Sequence, residues 1–297
     1  MSPTPLPLKT LLGDYANTRA LRDGRLNSPN FRFDFADVKV PNRAFKRVVR
    51  ELEFDLAELA LVTFLQAKAY GKPLTLMPAV IGAGRFQHHC LVYNAERAPV
   101  RLQDLRGKRI GIRAHAQTTV TWVRGVLAND YGVNLRDIQW VTFEDGHLAE
   151  FPDPSGFIRA PEGTKAVDML LAGELDAAII GTDLPDDPRL QSVIPEPHSA
   201  AQAWSQRHQM LPINHMVAVN TELCHTHPQL LREAYDLMLQ SKQLASPQVG
   251  TKLDLTPFGV EANRRSLELL IRYSYEQGLI PRAYAVNELF DDATRFL

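Results

Sequence analysis

The sequence predicts an α/β fold with mixed, mostly parallel sheets, arranged as two lobes. Short apolar segments alternate with longer amphipathic ones, which is the order of strands and helices in βαβ units. The chain has 297 residues, a length that fits about two domains. Its residues are 45% hydrophobic and 23% charged, a composition typical of a globular protein with a buried core. Both features argue against a disordered chain.

The charge balance and the cysteine content exclude several classes of partner. The formal net charge is −1, from 33 basic and 34 acidic residues, and no basic stripe stands out, so we expect no nucleic-acid partner. The two cysteines, Cys90 and Cys224, are far apart in sequence and are expected to be buried apolar thiols rather than a disulfide. No segment has the apolar length of a membrane span or the pattern of a secretory signal. We therefore expect a cytoplasmic protein without a membrane partner, and a homo-oligomer is left open.

The first third of the chain contains short strands around two helical segments. The predicted helices cover residues 42–50 and 58–70, which places Glu58 at the start of a helix. The predicted strands cover 8–12, 31–35, 38–40, 54–57, 74–81 and 89–93.

The remaining two thirds show the βα alternation more clearly. Val120, Val123, Val126 and Leu127 fall on one face of a helix over residues 118–131, and Gly132 ends that helix. Further strands are predicted over 110–112, 138–141, 175–181 and 212–219, helices over 165–172, 227–244, 260–276 and 284–292, and loops over 151–163 and 182–197.

Three segments resemble the type II periplasmic-binding-protein-like fold. "RLQDLRGKRIGI" at 101–112 resembles the start of its second lobe, and "VDMLLAGELDAAIIG" at 167–181 resembles the helix and strand that follow there. Residues 212–239 resemble the return crossover to the first lobe. The resemblance implies lobe 1 from residues 1–96 and 214–297 and lobe 2 from 97–213. The two crossovers would lie near Ala95 and Ile213, with a ligand cleft between the lobes.

A second, more specific resemblance is to the 4,5-dihydroxyphthalate decarboxylase family. Its matching segments follow one another through most of the chain, and they are 13–24, 54–67, 85–94, 118–133, 144–151, 160–179 and 212–219. The resemblance implies a carboxy-lyase of phthalate catabolism, a route of aromatic compound degradation, that converts 4,5-dihydroxyphthalate into protocatechuate. A histidine would protonate the ring as CO2 leaves, and no organic cofactor is required.

The candidate catalytic residues are three histidines and one glutamate. His88, His147 and His215 stand near predicted strand ends and are the candidate general acids, while Glu58 is a candidate acceptor of a phenolic proton. Glu58 also fits a plain carboxylate at a helix N-terminus. Any single histidine also fits an ordinary core or surface residue. A divalent metal held by the three histidines is left open, whereas Cys224-His225-Thr226-His227 fits the start of a helix.

The candidate substrate-binding residues are cations, hydroxyl groups and helix N-terminal residues that could hold carboxylates. Arg124 also fits a solvated helix face, and Thr118 and Thr119 also fit simple N-caps. Glu150, close after His147, could orient that histidine. The full set is Tyr15, Thr18, Arg85, His115, Thr118, Thr119, Arg124 and Glu150.

Two other functions fit the same fold. One is a small-carboxylate solute-binding protein of an ABC-type uptake system. The other is a different cytoplasmic enzyme with this architecture, such as a chorismate dehydratase-like enzyme or a dihydroxynaphthoate synthase. A dinucleotide enzyme is disfavoured because Gly82-Ala83-Gly84 is not followed by the third glycine of that fingerprint.

Overall fold

The computed structural model describes residues 4–245 and 253–297. These residues form two compact units, each assembled from separate parts of the chain. Of the described residues, unit 1 comprises 4–85, 213–245, 253–272 and 280–297. Unit 2 comprises Phe86–Pro212 and Tyr273–Leu279.

Strands and helices alternate through most of the described chain, as the sequence predicts. The strands are β1 (Leu6–Leu11), β2 (Phe31–Phe35), β3 (Leu56–Ala60), β4 (Leu74–Met77), β5 (Leu91–Asn94), β6 (Arg109–Ile112), β7 (Gln139–Thr142), β8 (Ile158–Arg159), β9 (Ala177–Ile179), β10 (Leu190–Ser192) and β11 (His215–Asn220). The α-helices are α1 (Arg19–Arg22), α2 (Leu61–Ala69), α3 (Thr118–Tyr131), α4 (Ala166–Ala172), α5 (Pro197–His208), α6 (Thr221–Thr226), α7 (Pro228–Leu244), α8 (Val260–Glu276) and α9 (Asp292–Arg295).

Unit 1 contains a five-stranded mixed sheet in the order β2-β1-β3-β11-β4. β1 pairs parallel to β2 and β3, whereas β11 runs antiparallel to both β3 and β4. Helix α7 covers one face, where its Leu231 and Met238 pack with Leu56 and Val217 of the sheet. Because β11 is reversed, its first residue lies at the edge where β1 and β3 end.

Glu58 lies inside strand β3 and not at the start of a helix, which corrects the sequence prediction. All residues of β3 are buried, and the strand is paired on both sides, with β1 and with β11. The apolar run around Glu58 continues without a polar break into α2, so periodicity alone does not locate the transition at Leu61.

Unit 2 is a three-layer unit around a six-stranded sheet in the order β10-β5-β9-β6-β7-β8. Strands β6, β7, β8 and β9 run parallel, and β5 pairs antiparallel with β9 and β10. Val123 and Leu127 of α3 pack on one face, and Met169 and Leu170 of α4 pack on the other. Helix α3 ends at Gly132 with φ 66°, the left-handed conformation that favours glycine.

The division between the units differs from the predicted lobe boundary at residue 96. It lies between Arg85 and Phe86, because β5 pairs with β9 and β10 in the sheet of unit 2. Residues 273–279 also group with unit 2, since Tyr273 packs against Trp122.

Several local predictions also need correction. Residues 38–40 form no strand: Val40 is exposed and precedes Pro41, which begins a short 3₁₀ helix. Residues 42–50 form this 3₁₀ turn and a π-helical segment at Arg47–Glu51 rather than one α-helix. The sequence pattern does not predict helix α5. Only three of its residues are buried, so its apolar face is narrow: Ala201, Trp204 and Ser205.

Other expectations about the chain as a whole are confirmed. Cys90 and Cys224 are both buried free thiols. Within the described parts of the chain, none of the helices is both long and apolar enough to cross a membrane.

We predict that replacing Gly125 with alanine destabilises the protein, although alanine is the better helix former. A Cβ at this position of α3 would overlap the ring of Tyr273, which is fully buried. We expect overpacking to lower the free energy of unfolding by about 1–3 kcal/mol. This loss should exceed the gain of about 1 kcal/mol from the higher helix propensity of alanine. Urea denaturation measures the difference.

The control is Ala128→Gly in the same helix, which should lower the free energy of unfolding by about 1 kcal/mol through helix propensity alone. An increase in stability in Gly125→Ala would contradict the packing shown here.

Candidate functional site

The candidate site of unit 1 is built around the carboxylate of Glu58. The side chain of Glu58 is 0% exposed, yet both of its oxygens have donors. Oε2 accepts from the backbone N–H of Gly13 at 3.0 Å, and Oε1 accepts from the Tyr15 hydroxyl at 2.9 Å. Oε1 also lies 2.7 Å from Nδ1 of His215. Three donors compensate the burial of a negative charge, which would be costly without partners.

Sheet topology brings these distant residues together. Gly13 and Tyr15 follow the end of β1, Glu58 lies near the end of β3, and His215 is the first residue of the reversed strand β11. The register pairs His215 with Ala60. Ligands of open α/β sheets bind beyond the carboxyl ends of the strands, so this edge is where a site is expected.

The hydrogen bond to Glu58 determines which nitrogen of His215 carries the proton. An ionised carboxylate only accepts hydrogen bonds, so Nδ1 of His215 must be the protonated nitrogen. Nε2 is then the nitrogen that can take up and deliver a second proton. The side chain is 26% exposed, and its ring packs edge-on against Phe45 with centroids 5.2 Å apart. His215 is therefore held through Nδ1, while its side chain stays partly exposed.

Thr18 fastens the loop that carries Tyr15 through two backbone contacts. Its buried hydroxyl donates to the Gly13 carbonyl at 2.6 Å and accepts from the Tyr15 N–H at 2.9 Å. The adjacent Asn17 donates to the Ile81 carbonyl at 3.1 Å. The hydroxyl of Thr18 is thus engaged with the backbone, and its role in substrate binding stays a prediction.

Tyr15 acts as a donor within this cluster. Burial, reinforced by the neighbouring charge of Glu58, raises the pKa of Tyr15 well above its usual value. The phenol therefore stays protonated and continues to donate to Glu58 at any ordinary pH.

Two glycines that the sequence analysis did not select also shape the cluster. A Cβ on Gly82 would lie 3.0 Å from Oε1 of Glu58 and 3.4 Å from Nδ1 of His215. A Cβ on Gly13 would overlap the Tyr15 ring. The glycine-rich stretch at Gly82 is visible in the sequence, but there it indicates only an incomplete dinucleotide-binding motif.

His88 lies in unit 2 in a short 3₁₀ helix, His88–Cys90, and not at the start of a strand. Its ring packs against Trp204 with centroids 5.9 Å apart, and its Nδ1 is buried with no hydrogen-bond partner among the described residues. Burial lowers the pKa of His88 to about 4. At neutral pH this imidazole is uncharged, which fits a general acid poorly.

His115 and Arg124 form a second polar cluster, also in unit 2. Nη1 of Arg124 lies 3.0 Å from Nδ1 of His115, whose ring packs against Phe157 with centroids 4.5 Å apart. Because arginine only donates, Nδ1 of His115 is the accepting nitrogen. Burial, with the charge of Arg124 adding to it, lowers the pKa of His115 to about 3. Arg124 is only 5% exposed, so the interpretation as a solvated helix face is wrong.

The remaining predicted residues are spread over loops and one helix start. Thr118 and Thr119 are buried first residues of α3, and Gln117 occupies the N-cap, so neither threonine is the N-cap. Arg85 is half-buried at the end of the first segment of unit 1. His147 is half-buried and Glu150 exposed in the loop between β7 and β8, and their pairing stays a prediction.

The metal alternative finds no support in the side-chain clusters. Across residues 4–245 and 253–297, no group of three or more His, Cys, Asp or Glu side chains is placed to hold a metal ion. The Cys224–His227 segment lies in and just after helix α6.

Comparison with proteins of known name places the chain in a family. A protein of Pseudomonas putida named 4,5-dihydroxyphthalate decarboxylase is 30% identical over 211 residues, which cover 67% of this chain and 81% of that protein. This chain belongs to the 4,5-dihydroxyphthalate decarboxylase family. The family member of Comamonas testosteroni with the same name is 29% identical over 298 residues, covering 95% of this chain and 89% of that protein. No family model matches the chain.

Solved structures confirm the predicted fold class for this family member. The alkanesulfonate-binding protein SsuA of Xanthomonas axonopodis pv. citri aligns with a TM-score of 0.61 at 13% identity, covering 97% of this chain and 99% of that one. SsuA of Escherichia coli aligns with a TM-score of 0.58 at 11% identity, covering 99% of this chain and 100% of that one. The desulfurization enzyme DSZB aligns with a TM-score of 0.55 at 11% identity, covering 96% of each chain. At these identities the likeness establishes the periplasmic-binding-protein-like fold alone.

We predict that acid weakens the fold through His88. Its pKa falls from 6.5 to about 4 on burial, so between these values the unfolded chain binds a proton that the folded chain does not. The free energy of unfolding therefore decreases as pH falls through this window, by up to about 1.4 kcal/mol per pH unit from this residue. His88→Leu should have a shallower dependence in urea denaturation between pH 4.5 and 7.

The matched control is His225→Gln, a change at an exposed histidine, which should keep the wild-type slope. An unchanged slope in His88→Leu would mean that His88 titrates normally in the folded protein.

Proposed function

We propose that this protein is a carboxy-lyase that removes CO2 from a hydroxylated aromatic carboxylate. Its specific substrate is 4,5-dihydroxyphthalate, and its product is protocatechuate. The two named relatives support the reaction class. The observation that carries the proposal is the His215 imidazole, whose Nδ1 lies 2.7 Å from the buried carboxylate of Glu58 and whose side chain is partly exposed.

The reaction replaces a carboxylate on the ring with a proton. A ring carbon that bears a carboxylate first accepts a proton from an acid. The bond between that carbon and the carboxylate then breaks, its electron pair returns to the ring, and CO2 leaves. In 4,5-dihydroxyphthalate each carboxylate has a hydroxyl group in the para position, which supplies electron density to the carbon being protonated. The electrons stay within the substrate, so the proposed step balances without a redox cofactor.

In this proposal His215 is the proton donor through Nε2. Its Nδ1–H bond to Glu58 fixes the plane of the ring and stabilises the positive charge of the doubly protonated imidazole. Positioned acids of this kind contribute about 10²–10⁴-fold to a rate. We favour His215 over His88 because its Nδ1 lies 2.7 Å from the Glu58 carboxylate, whereas His88 is buried and its ring packs against Trp204.

Glu58 is a positioning residue in this scheme, which replaces the predicted role as phenolic proton acceptor. Its side chain is fully buried and both oxygens already accept hydrogen bonds from Gly13, Tyr15 and His215. It therefore acts through His215, as a carboxylate does in other histidine–carboxylate pairs.

We predict that the purified protein releases CO2 from 4,5-dihydroxyphthalate and that this activity depends on the His215–Glu58 pair. His215→Gln should lower kcat by about 10²–10⁴-fold. Glu58→Gln should cause a smaller loss and shift the pH profile of kcat, because it keeps the shape but removes the charge. Assays compare 4,5-dihydroxyphthalate with hydroxylated monocarboxylates, with and without a chelator.

His225→Gln, at an exposed histidine of unit 1, should retain wild-type activity. Full activity in His215→Gln would remove His215 as the proton donor. Binding of the aromatic acids without CO2 release would favour a solute-binding function, and loss of activity with a chelator would show a metal requirement.

A further inference from the structure

Unit 2 contains a cavity of about 610 Å³ beside the second half of α3. Its volume lies within the range of sites for small organic ligands. Its walls come from α3, from the segments before and within β7 and before β8, and from residues 275–278. Its lining side chains include Arg124, Trp140, Phe157, Tyr275 and Gln277, together with the charged Arg136 and Glu276, whose carboxylate accepts from Asn129.

Arg124 is a buried cation without an anionic partner. Within the described residues its guanidinium forms no ion pair, and it lies 4.8 Å from the centroid of the Trp140 ring. Nη1 is bonded to the neutral ring of His115, and Nε is buried with no hydrogen-bond partner. Burial lowers the pKa of Arg124 to about 10, so the group is still charged at neutral pH. A buried and unpaired charge is costly, and an anion entering the cavity would compensate it.

The cavity also offers an acceptor for a hydroxyl group. Nε2 of Gln277 donates to the carbonyl of Thr121 at 2.9 Å, which fixes the orientation of the amide. Its Oε1 is buried with no partner among the described residues. An amide oxygen accepts hydrogen bonds only, so the group that satisfies it must be a donor, as a phenolic hydroxyl is.

Aromatic side chains also line this cavity. Trp140 and Phe157 both lie close to the Arg124 guanidinium, with the Phe157 centroid at 5.8 Å. Tyr275 adds a half-exposed ring. Flat apolar surfaces of this kind pack well against an aromatic ligand.

We propose that this cavity binds a small hydroxylated aromatic carboxylate, with the carboxylate on Arg124 and a hydroxyl group on Gln277. The site lies wholly within unit 2, whereas the proposed proton donor His215 belongs to unit 1. The ligand belongs to the chemical class of the proposed substrate and product, so the cavity is a second site at which such compounds act on the protein.

Binding of 4-hydroxybenzoate to the full chain by isothermal titration calorimetry tests the proposal. Arg124→Gln should weaken the binding at this site by about tenfold or more, the effect of losing a charge-assisted contact. The matched control is Arg136→Gln, at an exposed arginine of the same cavity, which should change the affinity less than about threefold. The uncharged 4-hydroxybenzamide should bind at least about tenfold more weakly.

A second variant keeps the test valid if Arg124→Gln perturbs the fold. Ser155 is an exposed residue of the cavity wall, and Ser155→Trp should block the site while leaving the core unchanged. His215→Gln should keep the binding at this cavity, which separates it from the site of decarboxylation. In NMR spectra with ¹⁵N-labelled arginine, 4-hydroxybenzoate should shift the Nε–H resonance of Arg124.

Three results would overturn the proposal. They are unchanged affinity in both Arg124→Gln and Ser155→Trp, equal affinity for the uncharged amide, and an Arg124 resonance that does not respond to the ligand. If acetate bound as tightly as 4-hydroxybenzoate, the cavity would be a general anion site, and the proposed preference for an aromatic ligand would be wrong. None of these outcomes depends on CO2 release, so failure here and failure of the proposed reaction are distinguishable.

Discussion

The buried carboxylate of Glu58 is the constraint around which unit 1 is organised at the carboxyl edge of its sheet. A negative charge inside a fully paired strand is tolerated only with donors on both oxygens, and three distant parts of the chain supply them. The loop after β1 provides Gly13 and Tyr15, and the reversed strand β11 provides His215. Gly82 leaves the space in which these groups meet. Loss of the carboxylate would leave these donors unpaired, and His215 would lose its fixed orientation.

Unit 2 shows the opposite electrostatic character. Its buried basic groups include Arg124 and two histidines whose pKa values burial lowers, to about 4 for His88 and about 3 for His115. Both imidazoles are neutral at neutral pH, so Arg124 is the cation of its cluster. A buried cation bonded only to a neutral ring is the basis of the anion site proposed in unit 2, whereas the histidine–carboxylate pair of unit 1 is the basis of the proposed proton transfer.

The fold class and much of the local structure could be predicted from the sequence, because they follow from patterns among residues that are close along the chain. The apolar face of α3 and the glycine at its end are readable from residues close in sequence. The position of Glu58 inside a strand could not be predicted in this way. A continuous apolar run spans β3 and α2, and the hydrophobic pattern shows no change from strand to helix periodicity at Leu61. The cluster itself joins residues 43 and 157 positions apart. Tyr15, Glu58 and His215 were each selected, but only the sheet register shows that they meet.

Arg124 illustrates a second limit. It lies four residues after Val120 and three before Leu127, so helical spacing places it on the apolar face of α3, but the spacing does not show which groups surround its guanidinium. The structure places the guanidinium 4.8 Å from the centroid of the Trp140 ring with 5% exposure, which rules out the alternative of a solvated helix face. Burial of polar groups depends on long-range packing, so it is the part of a site that sequence patterns predict least well.

The central claim is that the ionised carboxylate of Glu58 fixes the proton of His215 on Nδ1. NMR of the ¹⁵N-labelled histidine side chains, with His215 assigned by comparison with His215→Gln, measures this tautomer directly. We predict that the neutral ring of His215 carries its proton on Nδ1 and leaves Nε2 unprotonated, and that Glu58→Gln abolishes this preference. A proton found on Nε2, with Nδ1 unprotonated, would mean that Glu58 donates rather than accepts, and it would contradict the account.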